Sequence, residues 1–193
     1  VDGEFGAGTS AAIMNFQRAK GLRVTGKVDE ATAAALGLTK APAPTAPAPA
    51  SVNISVFPVQ GYCQYIDTYG AARGGGRVHL GVDVIAPAGK LIYAVVDGTI
   101  TKVYNDYPGA LAGNAVRLTM GDGTYFFYAH MSSFAEGIGV GVPVRAGQAI
   151  GYVGSTGSSG TNHLHLEVHP KGGSALNPYP IIKAVDACSV TTP

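Results

Sequence analysis

The sequence has no apolar run approaching the roughly 20 residues that cross a bilayer as a helix, so no transmembrane segment is expected. It also has little net charge: 13 Lys and Arg stand against 12 Asp and Glu among 193 residues. The basic residues are scattered, and a formal charge of +1 offers no broad attraction to a polyanion. No nucleic acid is therefore expected as a partner. No secretory leader is visible in a sequence that begins at Val1, which reads as a mature form or an excised segment. Only two cysteines occur, Cys63 and Cys188. Neither lies in a CxxC pair or beside a histidine, so sulfur is not expected to bind metal. They are either two buried thiols or one disulfide joining the ends of a domain. The closeness of domain termini favours the disulfide, which needs an oxidising compartment.

Apolar residues make up 46% of the chain, enough for a packed core and too many for wholesale disorder. The 28 glycines suit many tight turns and a β-rich fold. Residues 40–50, KAPAPTAPAPA, cannot build a core and form an extended, semi-rigid spacer. The expected organisation is an appendage over 1–39, a linker over 40–52 and a larger domain over 53–188.

In the appendage, Thr9 or Ser10 can cap a helix with Ile13, Phe16 and Lys20 on one face and Ala12 and Ala19 beside them, and Gly21 stops it. A second helix runs from the capping Asp29 to Leu36, and Gly37 ends it. The pattern Asp2-Gly3-x-Phe5-Gly6, Thr9, Phe16-Gln17, Gly21-Leu22, Gly26 and Thr32 through Leu36 resembles the peptidoglycan-binding module of three small helices. The resemblance covers the latter part of that module. A generic two-helix appendage is the alternative reading.

The larger domain reads as β. Leu91–Val96 and Thr99–Tyr104 flank Asp97-Gly98, and Ala115–Met120 and Thr124–Tyr128 flank Gly121-Asp122-Gly123; both patterns predict hairpins. Ala149–Val153 and His163–Val168 are further strands. Strands at this spacing, without helical patterns between them, predict a mainly β domain, a small antiparallel sandwich or barrel, with the short helical appendage before it.

All five histidines lie in this domain. In NHLHLEVHP, alternation places His163, His165 and Glu167 on one strand face and Leu164, Leu166 and Val168 on the other. Two imidazoles about 7 Å apart along a strand can reach one site, whereas His169, about 13 Å beyond His165, should not. His79 and Asp83 are both good metal-ligand types. On a straight strand they would be about 13 Å apart, so sharing an ion requires the chain to bend between them, which Gly81 permits. His130 closes the strand that follows the second hairpin. Taken singly, each histidine could be a satisfied core or solvated residue. Together, His79, Asp83 and one member of the HxH pair supply the three ligands of a catalytic zinc site with an open position. His130 and the other member are then available for proton transfer. There is no HExxH helix, so the route with a glutamate base is not available.

HxxxD, YAH and HLH in that order, with GGGRVHLGVDVIAPAGK, AVVDGTI, VRAGQAIGYVGSTG and HLHLEVH, resemble the LytM/lysostaphin-type metallopeptidases of the M23 family over residues 66–178. The resemblance implies a small antiparallel β-sandwich with its site in a groove walled by loops. It implies Zn2+ held by His79, Asp83 and His165, with His130 and His163 as the catalytic histidines. Leu166 stands where phenylalanine is common, a change of packing. The implied activity is hydrolysis of peptide bonds in peptidoglycan stems or cross-bridges, either the D-alanyl to diaminopimelate crosslink, which we favour, or a glycine-rich bridge. A monomer, located outside the cell or in the wall, is expected. Members of this fold that have lost metal ligands activate other wall hydrolases, and a non-catalytic or latent cell-wall-binding protein or activator of this fold is the rival reading. Residues 105–114 and 154–162 are expected to wall the groove, and Arg73, Arg77 and Arg117 are available to bind a substrate carboxylate. Glu167 can orient a ligand histidine or be a solvated carboxylate, and Tyr128 can line the groove or only pack.

Overall fold

In the computed structural model of this chain, residues 7–38 and 52–188 are described. Most of the expected linker and the Asp2–Gly6 part of the N-terminal pattern lie outside them. The chain divides into two compact units, Val1–Pro49 and Ala50–Pro193.

The first unit holds α1 (Ala7–Ala19) and α2 (Glu30–Ala35). Thr9 and Ser10 lie inside α1 rather than at its start, and Ser10 Oγ donates instead to the Gly26 carbonyl at 3.2 Å. Gly21 and Gly37 follow the helices with φ of +67° and +69°, the left-handed geometry that stops a helix. Asp29 caps α2, its Oδ1 accepting from the Thr32 amide at 2.9 Å. The inward face of α1 differs from the expected one: Ile13, Met14 and Phe16 are half-buried, while Ala12, Ala19 and Lys20 are exposed. Among its described side chains, the one fully buried is polar. The Gln17 Nε2 donates to Lys27 O, Thr25 Oγ1 and Thr32 Oγ1, each at 2.9 Å. Its Oε1 accepts from the amides of Thr25 and Gly26 at 2.8 and 3.0 Å. A unit with so little apolar surface is thus knitted by one satisfied amide.

The second unit is antiparallel β. Its strands are β1 (Ala72–Arg73), β2 (Arg77–Val78), β3 (Gly81–Ile85), β4 (Leu91–Tyr93), β5 (Gly98–Tyr104), β6 (Asn114–Thr119), β7 (Tyr125–Phe134), β8 (Pro143–Val144), β9 (Ala149–Val153) and β10 (His163–His169), followed by α3 (Tyr179–Lys183). β1 and β2 pair separately, and the main sheet runs β3-β10-β7-β6-β5-β8. The long β7 pairs with β6 and β10 over its first half and with β9 over its second, and β9 in turn pairs with β4. Val82, Val84, Ile92, Leu118, Phe126, Leu164 and Leu166, drawn from both parts of the sheet, share one core at full burial.

The hairpin expected at 121–123 forms, with Thr119 opposite Tyr125 and Asp122 Oδ1 accepting from the Thr124 amide at 2.9 Å. The one expected at Asp97-Gly98 does not. β4 ends at Tyr93 and pairs with β9, while β5 pairs with β6 and β8. The reason lies in the intervening residues. Ala94 and Val95 are fully buried, the Ala94 amide donates to Gln148 O at 2.9 Å, and Asp97 accepts from the Ala146 amide at 2.8 Å. The turn signal is real, but its neighbours are committed to the core. Cys63 and Cys188 form a disulfide with Cα atoms 5.1 Å apart, joining the two ends of the domain.

Tyr128 does not line the groove. It is fully buried, and its hydroxyl accepts from the Val95 amide at 3.0 Å. Tyr128→Phe leaves that buried N–H unpaired, a loss of about 1–3 kcal/mol. Thermal unfolding of the variant is expected to show a Tm several degrees lower; an unchanged Tm would contradict the assignment.

Candidate metal centre

β10 lies between β3 and β7, and its alternation sorts its side chains cleanly. Leu164, Leu166 and Val168 are fully buried in the core, while His163, His165, Glu167 and His169 occupy the other face. His165 stands directly opposite Asp83 on β3 and Ala129 on β7. Cross-strand neighbours have Cβ atoms about 5 Å apart, so a carboxylate and an imidazole meet without any special loop.

His79 arrives differently. β2 ends at Val78 and β3 begins at Gly81, so residues 79 and 80 are not strand. The His79 amide donates to Ala71 O at 2.8 Å. The bend between His79 and Asp83 is present, but Gly81 serves it through size. A Cβ there would strike the Leu166 carbonyl oxygen and come within 2.8 Å of His165 Cε1.

Three donor atoms converge. His79 Nε2 and His165 Nδ1 each lie 3.0 Å from Asp83 Oδ1 and 2.9 Å from each other. The far side of each group is engaged. His79 Nδ1 donates to Thr68 O at 3.0 Å, His165 Nε2 donates to Glu167 Oε1 at 2.9 Å, and Arg73 Nη2 donates to Asp83 Oδ2 at 2.6 Å. Such outer contacts fix the tautomer and direction of a ligand. Two imidazole nitrogens and one carboxylate oxygen are the donor types that zinc takes in an open, three-ligand site, so the set fits Zn2+. Thr68 and Arg73 carried no sequence signal for these roles, because one acts through its carbonyl and the other from a separate two-stranded ribbon.

His130 and His163 stand beside this triangle, their ring centroids 4.7 Å apart. His163 Nε2 is 3.6 Å from Asp83 Oδ1, and its Nδ1 donates to Thr161 O at 2.9 Å. His130 lies within β7 rather than at its end, with a φ of +64°. This left-handed conformation costs a non-glycine residue on the order of 1 kcal/mol. Its amide donates to Ala112 O and its Nδ1 to Thr156 O, both at 2.9 Å, which holds the ring in place. In both rings Nδ1 carries the proton and Nε2 is left as the acceptor.

The charges follow from burial and these contacts. Burial alone would raise the Asp83 carboxyl, but the adjoining imidazoles of His165 and His79 outweigh it and hold the group well below the usual carboxylate range. Burial opposes the charge of Glu167 in the same way, and His165 and His169 bring its pKa down to about 2. Burial lowers His130 to about 4 despite its bond to Thr156, and it lowers His163 as well. Both imidazoles are therefore neutral near pH 7 and able to accept a proton.

The site opens into a groove of about 810 Å³. Leu111 and Ala112 from the first expected wall and Ser158 through Thr161 from the second line it, with Arg73 and Arg77. Arg117 does not; it lies 5.1 Å over the Tyr125 ring and donates from Nε to Thr101 Oγ1 at 2.9 Å. Gly81→Ala is expected to weaken zinc binding at least ~10-fold, since the added methyl displaces the ring that presents Nδ1. Isothermal titration checks this, and affinity equal to wild type would contradict it.

The family profile described as Peptidase family M23 matches residues 77–178, and a peptidoglycan binding domain profile matches residues 1–36. The DD-carboxypeptidase/endopeptidase Mpg of Neisseria meningitidis serogroup B is 41% identical over 102 residues, 53% of this chain and 22% of that protein. The murein hydrolase activator NlpD of Escherichia coli is 34% identical over 122 residues, 63% of this chain and 29% of that protein. The present chain thus spans between a fifth and a third of the length of these relatives. Among solved structures, the catalytic domain of lysostaphin from Staphylococcus simulans superposes with a TM-score of 0.55 at 32% identity, covering 63% of this chain and 92% of that one. A zinc-containing peptidase from Vibrio cholerae does so with a TM-score of 0.52 at 25% identity, covering 64% and 38%. With its profile match extending over more than half of its length, the chain belongs to peptidase family M23.

Proposed function

We propose that the C-terminal domain is a zinc-dependent endopeptidase that hydrolyses peptide crosslinks of bacterial peptidoglycan. The observation that carries this reading is the convergence of His79 Nε2, Asp83 Oδ1 and His165 Nδ1 beside two neutral imidazoles. Those three atoms would hold Zn2+, and the Lewis-acid chemistry it would supply there is activation of water near neutral pH and polarisation of a carbonyl. The protein's own groups do the rest. One of His130 and His163, both anchored through Nδ1, takes up at Nε2 the proton that the attacking water releases and returns it to the leaving amine. While it holds that proton, its Nε2–H stabilises the developing oxyanion. Arg73 holds the second oxygen of Asp83, leaving the first one for the metal.

The bond favoured is the D-alanyl to diaminopimelate crosslink. Its stem carboxylates suit the cationic wall at Arg73 and Arg77, and the neisserial relative is named a DD-carboxypeptidase/endopeptidase. Residues 1–39 serve as a wall-binding appendage, 40–52 as a tether and 53–188 as the peptidase, acting as a monomer outside the cell or in the wall. The disulfide supports an oxidising compartment. No helix among the described residues is long and apolar enough to cross a membrane. The similarity to NlpD keeps a second reading, an activator without hydrolysis of its own. The complete donor set favours the enzyme.

Incubation with purified peptidoglycan of both crosslink types is expected to release soluble fragments from the diaminopimelate type. Release should stop after chelation and in His165→Ala. No release from either wall, with zinc bound, would move the protein to the activator reading. His130→Ala and His163→Ala are each expected to lower kcat by about 10²–10⁴-fold while keeping stoichiometric zinc. Wild-type rates in both would refute their roles.

A further inference from the structure

His169 was expected to be too distant to take part in the site, and it does not touch the donor triangle. It reaches that triangle through one intermediary. His165 Nε2 donates to Glu167 Oε1 at 2.9 Å, and the other oxygen of the same carboxylate receives a hydrogen bond from His169 Nε2 at 2.8 Å. The three residues alternate along one face of β10, so the strand's period of two lays them in a row pointing at Asp83.

The far end of this row is fixed as firmly as the near end. The chain turns through Pro170–Gly172 directly after β10, which returns the Gly173 carbonyl to His169. Its Nδ1 donates there at 2.9 Å. Both nitrogens of His169 therefore face acceptors, and both carry a hydrogen. The ring is buried, 8% exposed, and lies flat on Tyr125, with centroids 4.3 Å apart and planes 11° from parallel. A residue that only filled space at this position would not need two aligned acceptors.

We propose that His169 is a positioning residue: through the Glu167 carboxylate it fixes the ring direction and tautomer of His165, so that Nδ1 faces the metal site. A half-buried carboxylate with one donor is free to rotate about its terminal torsion, a broad and weakly restrained one. A second donor on its other oxygen removes that freedom. The carboxylate then stands where His165 Nε2–H can reach it, which leaves Nδ1 as the lone-pair nitrogen. His79 receives the equivalent restraint from a backbone carbonyl. His165 receives it from a side chain, and that side chain needs a holder of its own. This inference rests on the reading of His79, Asp83 and His165 as metal ligands.

The test is zinc affinity of the full chain, measured by competition with a chromophoric chelator, with His165→Ala as reference. His169→Phe keeps an aromatic ring against Tyr125 and removes both donors. His169→Gln keeps an amide donor where Nε2 stood. The expected result is a ~10-fold weaker affinity in His169→Phe, recovery to within about threefold in His169→Gln, and no further loss when His169→Phe is added to Glu167→Gln. In the zinc-loaded wild type, the His165 Nε2 proton should be visible by NMR, and it should broaden or shift in His169→Phe. The inference is overturned if His169→Phe binds zinc as wild type does, if both substitutions lose affinity equally, or if the Phe effect is undiminished in the Glu167→Gln background. A wild-type protein whose zinc binding is absent, or is unchanged by His165→Ala, overturns the metal site itself and the relay with it.

Discussion

The site depends on a single cross-strand register, Asp83 of β3 opposite His165 of β10. That pairing puts a carboxylate oxygen and an imidazole nitrogen at 3.0 Å with no contribution from loops. A slip of β10 by one residue would send His165 into the core and bring Leu164 or Leu166 out. The register is therefore held by the same apolar residues that make the domain stable. Leu164, Leu166 and Val168 on one strand and Val82 and Val84 on the other are all fully buried. The fold cannot relax around the site without exposing them.

On this frame the remaining groups are placed by local devices, each with its own cost. His79 sits in the break between β2 and β3, where residues 79 and 80 leave the strand. The close packing of β3 on β10 demands glycine at 81, because no Cβ fits against the His165 ring. His130 takes a left-handed backbone conformation inside a strand, strain that two hydrogen bonds hold in place. Strain of this kind gathers where geometry matters to function more than local comfort does. The groove walls come from the segments around Leu111 and Ser158, so His130, His163 and His165 stand on strands while loops line the groove beside them.

The sequence revealed the elements whose signals are local. The alternation in HLHLEV announces which residues share the site face, because a strand has no other way to arrange them. The impossible span from His79 to Asp83 on a straight strand announces a bend. The helix caps and stops at Asp29, Gly21 and Gly37 were equally readable. What failed were readings that depended on partners distant in sequence. Asp97-Gly98 looks like a hairpin, but Ala94 and Val95 are claimed by the core and by Gln148 and Tyr128. Tyr128 and Arg117 could have faced the groove on composition alone, and only packing decides that they do not. The inward face of α1 escapes an apolar pattern because its buried residue is Gln17, whose place in an interior depends on five contacts made elsewhere in the unit. His169 was judged by its distance to a metal, whereas its contact is with the carboxylate between.

The most direct check of this account is anomalous diffraction at the zinc absorption edge from crystals of the zinc-loaded protein. One strong peak is expected within bonding distance, about 2.0–2.2 Å, of His79 Nε2, Asp83 Oδ1 and His165 Nδ1 together. A peak bonded to a different set of residues, or none at those three atoms, would contradict it.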